Sequence, residues 1–165
     1  MIELKDNRIE KRYDKELLII EAWSKDSLRV RSFPDGKFKD DPNALIENDF
    51  SGKNVELFDL GNGSYKIRNG KIHAILDHRD RITFYNDKGE VLLKEFIRLR
   101  AVKHDDGSED VGNIEITRDF NSTLKLKSRH YKANVGGDFE IITRFESDNR
   151  EKIYGMGQYQ HEFLN

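Results

Sequence analysis

The sequence predicts an all-β fold with little helix, an antiparallel β-sandwich, and three observations predict it. From Val55 onward, apolar and polar residues alternate with a period of two over short runs, the pattern of strands with one face buried and one wet. Residues that tolerate a left-handed backbone, such as Gly61-Asn62-Gly63 and Asn69-Gly70, separate these runs where hairpins need their turns. Helical periodicity is nearly absent, and only residues 44–48 read as one helical turn. Roughly ten or more short strands at this spacing suit two antiparallel sheets packed face to face. A closed barrel is the alternative. The lack of a longer fixed repeat sets propellers and solenoids aside.

In chain order, residues 1–15 are mostly charged, with scattered Ile2, Leu4, Ile9 and Tyr13, and read as a loose arm or a short edge strand. Leu17 to Trp23 is an apolar run. Leu28-Arg29-Val30-Arg31 alternates, and Ser24-Lys25-Asp26 is the turn between the two. Phe33-Pro34-Asp35-Gly36 is a tight turn, and Asp40-Asp41-Pro42-Asn43 is loop. Val55 to Leu60, Tyr65 to Ile67 and Ile72 to Leu76 make successive hairpins in which His73 points away from the apolar face. Arg81 to Tyr85, the turn Asn86 to Gly89 and Val91 to Phe96 make the next, with Gly89 placed for a bulge. Ile97, Leu99 and Ala101 alternate with Arg98 and Arg100. Ile114 and Ile116, Leu124 and Leu126, and Phe139 to Phe145 after Gly136-Gly137 continue the pattern.

Length and composition bound the function. At 165 residues the chain is about one domain. Charged residues and hydrophobic residues each make up 36% of it, and the 29 basic and 31 acidic residues nearly cancel. No net field draws in nucleic acid or an acidic membrane, so neither partner is expected. No apolar run is long enough to span a bilayer. There are no cysteines, hence no disulfides or thiolate metal sites. The opening residues lack the apolar core of a signal peptide, so the expected location is cytoplasmic.

Several residue groups could carry chemistry. The loop His104-Asp105-Asp106-Gly107-Ser108-Glu109-Asp110 offers oxygen ligands, but its spacing misses the alternating calcium-loop pattern, and a solvated acidic loop is the ordinary reading. The histidines at 73, 78, 104, 130 and 161 share no segment, so no metal is expected. Arg29, Arg31, Arg98 and Arg100 could grip phosphate. Alternating arginines more often form a wet sheet face with acidic neighbours. Trp23 could stack on a sugar, although after Leu17 to Ile20 it reads as core or rim packing. Neither a Gly-x-Ser-x-Gly elbow nor a carboxylate pair marked by spacing is present, so no catalytic residue is assigned and no cofactor is implied.

The least ordinary stretch is Glu151-Lys152-Ile153-Tyr154-Gly155-Met156-Gly157-Gln158-Tyr159-Gln160. It resembles the Tyr-Gly-x-Gly-Gln/Glu segment of family 31 glycoside hydrolases, the α-glucosidases and α-xylosidases. Leu28-Arg29-Val30-Arg31 resembles an early Arg-Val-Arg strand of that family, and Ile82 to Glu95, ending Gly89-Glu90-Val91-Leu92-Leu93-Lys94-Glu95, resembles the hairpin that follows. The Gln158-Tyr159-Gln160 version is similar to bacterial α-xylosidase-like members.

The resemblance implies an N-terminal sandwich of the galactose-mutarotase-like supersandwich type over residues 1–150, with 151–165 as a junction leading to a catalytic (β/α)8 barrel beyond this chain. It further implies a retaining enzyme whose two catalytic aspartates sit on that barrel, so the barrel is the expected partner and a carbohydrate the substrate of the whole. Gln158, Tyr159 and Gln160 are the residues expected nearest to substrate, with a purely structural role as the alternative. A homo-oligomer stays open. The competing functional reading is a self-standing carbohydrate-binding or adhesion sandwich using aromatics such as Tyr85, Tyr131 and Tyr159.

Overall fold

A computed structural model describes residues 1–40, 55–97, 102–103, 109–110 and 128–147. Every element among them is a strand, and every pairing is antiparallel. The first sheet is a four-stranded meander of β1 (Ile2–Lys5), β2 (Arg8–Tyr13), β3 (Glu16–Ala22) and β4 (Leu28–Phe33). The second is a five-stranded meander of β5 (Val55–Gly61), β6 (Ser64–Asn69), β7 (Ile72–Leu76), β8 (Ile82–Asn86) and β9 (Val91–Lys94). Two hairpins complete the set: β10 (Val102–Lys103) with β11 (Glu109–Asp110), and β12 (Arg129–Ala133) with β13 (Phe139–Thr143).

The two meanders face each other. Ile9, Leu18 and Ile20 from the first meet Ile67, Ala74, Leu76 and Ile82 from the second, all essentially without solvent exposure. Register explains the selection: Ile9 pairs with Ile20, and Ile67 with Ala74, so apolar side chains stack on one face of each sheet. Each such buried aliphatic side chain stabilises the fold by about 1.5–3 kcal/mol relative to exposure.

The first fifteen residues are therefore not a loose arm. They form a full hairpin of the first sheet, with Ile9 at 1% exposure in the core. Their charges hide this in the sequence because they fall on the outer face, where Lys5 and Arg8 pair with Glu10 at 2.7 Å each. Burial alone would raise the Glu10 pKa, and these two cations more than offset it, leaving it lowered.

The turns behave as their residues require. Gly89 sits at φ 80° before a register shift in the β8–β9 pairing, and Gly136-Gly137 forms the β12–β13 turn with both φ values positive. The helical turn expected at 44–48 and the strands expected around Ile114–Ile116 and Leu124–Leu126 lie outside the described residues.

Candidate functional site: a cleft latched by Arg129

Sheet order leaves β4 at one edge of the first sheet and β9 at one edge of the second. The β12–β13 hairpin joins these two edges. On the β9 side the chain continues past the strand, and Glu95 bridges Phe145 with backbone bonds from Phe96 to Arg144 and from Glu146 to Lys94. On the β4 side the connection is made by side chains: the Tyr131 hydroxyl donates to Glu16 Oε1 at 2.9 Å. The Ser32 hydroxyl donates to the same carboxylate at 2.6 Å and also contacts the Tyr131 hydroxyl.

Arg129 is the centre of this junction. Its Nη1 lies 2.6 Å from both carboxylate oxygens of Glu95. Nη2 donates to the Asp80 carbonyl at 3.0 Å, and Nε donates to Glu16 at 3.3 Å. Arg129 and Glu95 are 7% and 3% exposed, which makes this a buried pair with excellent geometry. Burial by itself would lower the Arg129 pKa; Glu95, followed by Asp80 and Glu16, more than reverses that and raises it. Lys11 completes the cluster through Asp80 at 2.6 Å. Burial pushes the Tyr131 hydroxyl up to about 12, with the Ser32 hydrogen bond opposing and the Glu16 carboxylate reinforcing the shift.

Beside this cluster opens a cleft of about 460 Å³. Val30 of β4, Phe84 of β8, Leu93 of β9, and Ile141 and Phe145 from the last hairpin form its apolar walls, and Glu95 and Arg129 form its polar end. The chemistry open to that end is narrow. Glu95 is held by Arg129 and also accepts the Ile82 amide at 2.8 Å, so its carboxylate is fixed in an ion pair and cannot swing to deliver a proton. Among the described residues no group of three or more histidine, aspartate or glutamate side chains is arranged to hold a metal ion.

Against known proteins, no family model matches the chain. Two relatives do. It is 36% identical over 160 residues to an uncharacterized family 31 glucosidase, ORF2, of Pseudescherichia vulneris, an alignment covering 96% of this chain and 28% of that protein. It also superposes on the crystal structure of a GH31 α-xylosidase from a soil metagenome, complexed with xylose, with a TM-score of 0.76 and 36% identity over 100% of this chain and 23% of that one. Over essentially its whole length the chain is similar to one part of these two family 31 proteins. It spans about a quarter of the length of these relatives.

Within the described residues, those singled out in the sequence scatter. Gln158, Tyr159 and Gln160 lie outside the described residues, as do Arg98, Arg100, His104 and His161. Arg29 and Arg31 do share a face with an acidic neighbour: Arg31 meets Glu21 at 2.8 Å and Arg29 lies 3.9 Å from it. That face is largely buried rather than wet, because Leu17 and Ile19 lie on it at 1% and 0% exposure. Phe38 lies over the same face, with the Arg31 guanidinium 4.7 Å from its ring centroid. Trp23 is partly buried, with the Arg29 guanidinium 4.2 Å over its ring, a rim position in which one face of the indole is taken by the cation.

Tyr85 stacks on His73 at 4.9 Å with the rings 9° apart. Burial, followed by Lys66 and Arg68, lowers the His73 pKa. Tyr131 belongs to the latch rather than to an open aromatic platform.

Arg129, Glu95 and Glu16 were missed by sequence reasoning. Arg129 stands 34 residues from Glu95 and 113 from Glu16, so no local spacing could flag the group. A weak signal existed in Glu95 itself, a carboxylate inside the apolar run Val91 to Ile97.

Proposed function

We propose that this domain is the non-catalytic sandwich of a retaining α-glycosidase that hydrolyses terminal α-glucosides or α-xylosides, in which it packs on the catalytic barrel and helps to shape the substrate pocket. The observation that carries this reading is similarity along essentially the whole chain, at 36% identity, to about a quarter of two longer family 31 proteins, one a glucosidase and the other an α-xylosidase by name. The internal chemistry supports it. The buried Glu95 and the partly buried Glu16 are engaged by Arg129, Ser32 and Tyr131 and serve assembly, whereas glycoside hydrolysis needs two carboxyl groups flanking a sugar with freedom to exchange protons. A sandwich held rigid in this way is a good platform for a loop at a pocket rim. In this reading residues 1–150 form the sandwich, 151–165 lead into the barrel, and the enzyme works in the cytoplasm.

The test compares two proteins with 4-nitrophenyl α-xyloside and α-glucoside: the 165-residue chain, and the product of the uninterrupted reading frame that encodes it. The long protein is expected to release nitrophenol and the chain alone to release none. Turnover by the chain alone, or none by the long protein with either glycoside, refutes the proposal.

A further inference from the structure

We infer that the cleft between β4, β8, β9 and β13 is the surface on which this domain meets the rest of its own, longer polypeptide. The inference rests on the family 31 reading and adds to it the place of contact.

The cleft is an interrupted core. Leu28, Val30, Ile82 and Phe84 line it from the same inner faces that build the sandwich interior, but the two sheets end at β4 and β9 and nothing among the described residues fills the gap between their edges. The result is a row of half-exposed apolar side chains: Val30 and Leu93 at 36%, Phe145 at 45% and Ile141 at 53%. Apolar residues grouped in a concave surface, unlike scattered ones, mark a contact.

The chemistry of the cleft selects the occupant. Its two charged groups, Glu95 and Arg129, already engage each other, and of its two hydroxyl residues, Ser32 and Thr143, Ser32 is bonded to Glu16, so a hydroxyl-rich ligand would set most of its polar groups against apolar walls and lose hydrogen bonds to water. An apolar protein segment strands no side-chain hydrogen bonds by entering, and its buried apolar area offsets the entropy of ordering it. The source of that segment follows from length: the aligned relatives continue for about three quarters of their chains outside the matched region. A covalently tethered partner acts at an effective concentration of about a millimolar, well above that of a second copy of the chain. Interfaces between domains of one chain typically bury about 600–1,500 Å², for which a cleft of this kind with its rim is a suitable centre.

The absence of cysteine from the chain makes the test direct. Ile141→Cys and Leu93→Cys place a single thiol on opposite walls, and Val135→Cys, at the fully exposed β12–β13 turn, is the reference. Maleimide labelling of each is followed by peptide mass spectrometry in the 165-residue chain and in the product of the uninterrupted reading frame. In the chain alone, both wall thiols should label at a rate close to that of the turn. In the long protein they should label about tenfold slower or less, because a covered thiol reacts only on local opening.

Slow labelling already in the short chain means that another segment of the same chain fills the cleft. Slow labelling only at high concentration means a second copy does, and fast labelling in both proteins means the cleft stays open. Each of these overturns the inference. Aryl glycoside hydrolysis by the same long protein separates the two readings: an active protein with reactive wall thiols sinks the docking surface alone, and an inactive one sinks the family 31 function.

Discussion

The two ends of this sandwich are tied by opposite chemistry. At one end the β3–β4 turn meets the β6–β7 turn through hydrogen bonds to uncharged backbone groups rather than through ion pairs. The buried Asn69 amide donates to the carbonyls of Ser24 and Ser27 at 2.6 and 2.7 Å, and Asp26 accepts the Lys71 amide at 2.8 Å. At the other end Arg129, Glu95, Glu16, Asp80 and Lys11 hold the sheets and the β12–β13 hairpin through charges. The neutral tie joins two hairpins whose register is already set locally. The charged tie is the only polar side-chain connection, among the described residues, that joins both sheets and the last hairpin. The first end can lose a bond and keep its shape, whereas the second end depends on every member having its partner.

The largest expected effect therefore lies at the charged end. Arg129→Met leaves Glu95 buried without its cation, and the cost should be about 3–5 kcal/mol, the range for breaking one side of a buried pair. Replacing both, as Arg129→Met with Glu95→Leu, should recover only part of that loss: no charge is left stranded, but the buried Ile82 amide loses its acceptor, at about 1–3 kcal/mol. Urea unfolding of the three proteins measures both numbers. If the single variant costs less than about 1 kcal/mol, the range of an exposed ion pair, the hairpin is not held by this latch.

At the neutral end the effects should be smaller. Asn69→Ala removes one donor from each of two carbonyls that keep a backbone donor, from Ser27 and Trp23, so each lost hydrogen bond should cost about 0.5–1.5 kcal/mol. Gly70→Ala tests the same contact sterically: a methyl there would overlap the Asp26 carboxylate, and the residue sits at φ 59°, a region where a side chain costs about 1–2 kcal/mol. Amide exchange followed by mass spectrometry localises the damage. Asn69→Ala should leave protection in β12–β13 intact, and Arg129→Met should lose it there first. The reverse pattern would erase the distinction between the two ends.

The same contrast governs how much the sequence discloses. The β5–β9 meander is legible because its pairings are local and its turns are declared by Asn69-Gly70 and by Gly89, with both glycines at positive φ. The β1–β2 hairpin is half legible: its apolar alternation is real, but the ion pairs of Lys5, Arg8 and Glu10 cover the outer face and make the segment look like solvent-exposed chain. The latch is not legible. The register shift between Phe84 and Tyr85 disturbs the two-residue period along β9, so the inward position of Glu95 cannot be counted from the alternation. Ser128-Arg129-His130 reads as polar surface although Ser128 and Arg129 are buried, because a charge becomes a core residue only when distant acids gather around it. Gln158, Tyr159 and Gln160 carry the family resemblance and lie outside the described residues.

The smallest effect is a pH dependence that only the charged end should show. Tyr131 has its pKa raised from 10.0 to about 12 in the folded protein. Between those values the unfolded chain has released the phenol proton and the folded chain still holds it, so raising the pH favours unfolding. The stability contributed by the protonated hydroxyl is thus complete below pH 10 and lost as the pH rises toward about 12. Tyr131→Phe cannot release a proton, so the difference in stability between wild type and variant should shrink from about pH 9 to about pH 11. The variant also removes the hydrogen bond to Glu16, which should make it the less stable protein at the lower pH. Asn69→Ala carries no titrating group and should run parallel to wild type over the same interval. Urea midpoints at the two pH values decide it: if wild type and Tyr131→Phe lose stability equally, the phenol is not protected by the latch, and the hairpin rests on Arg129 alone.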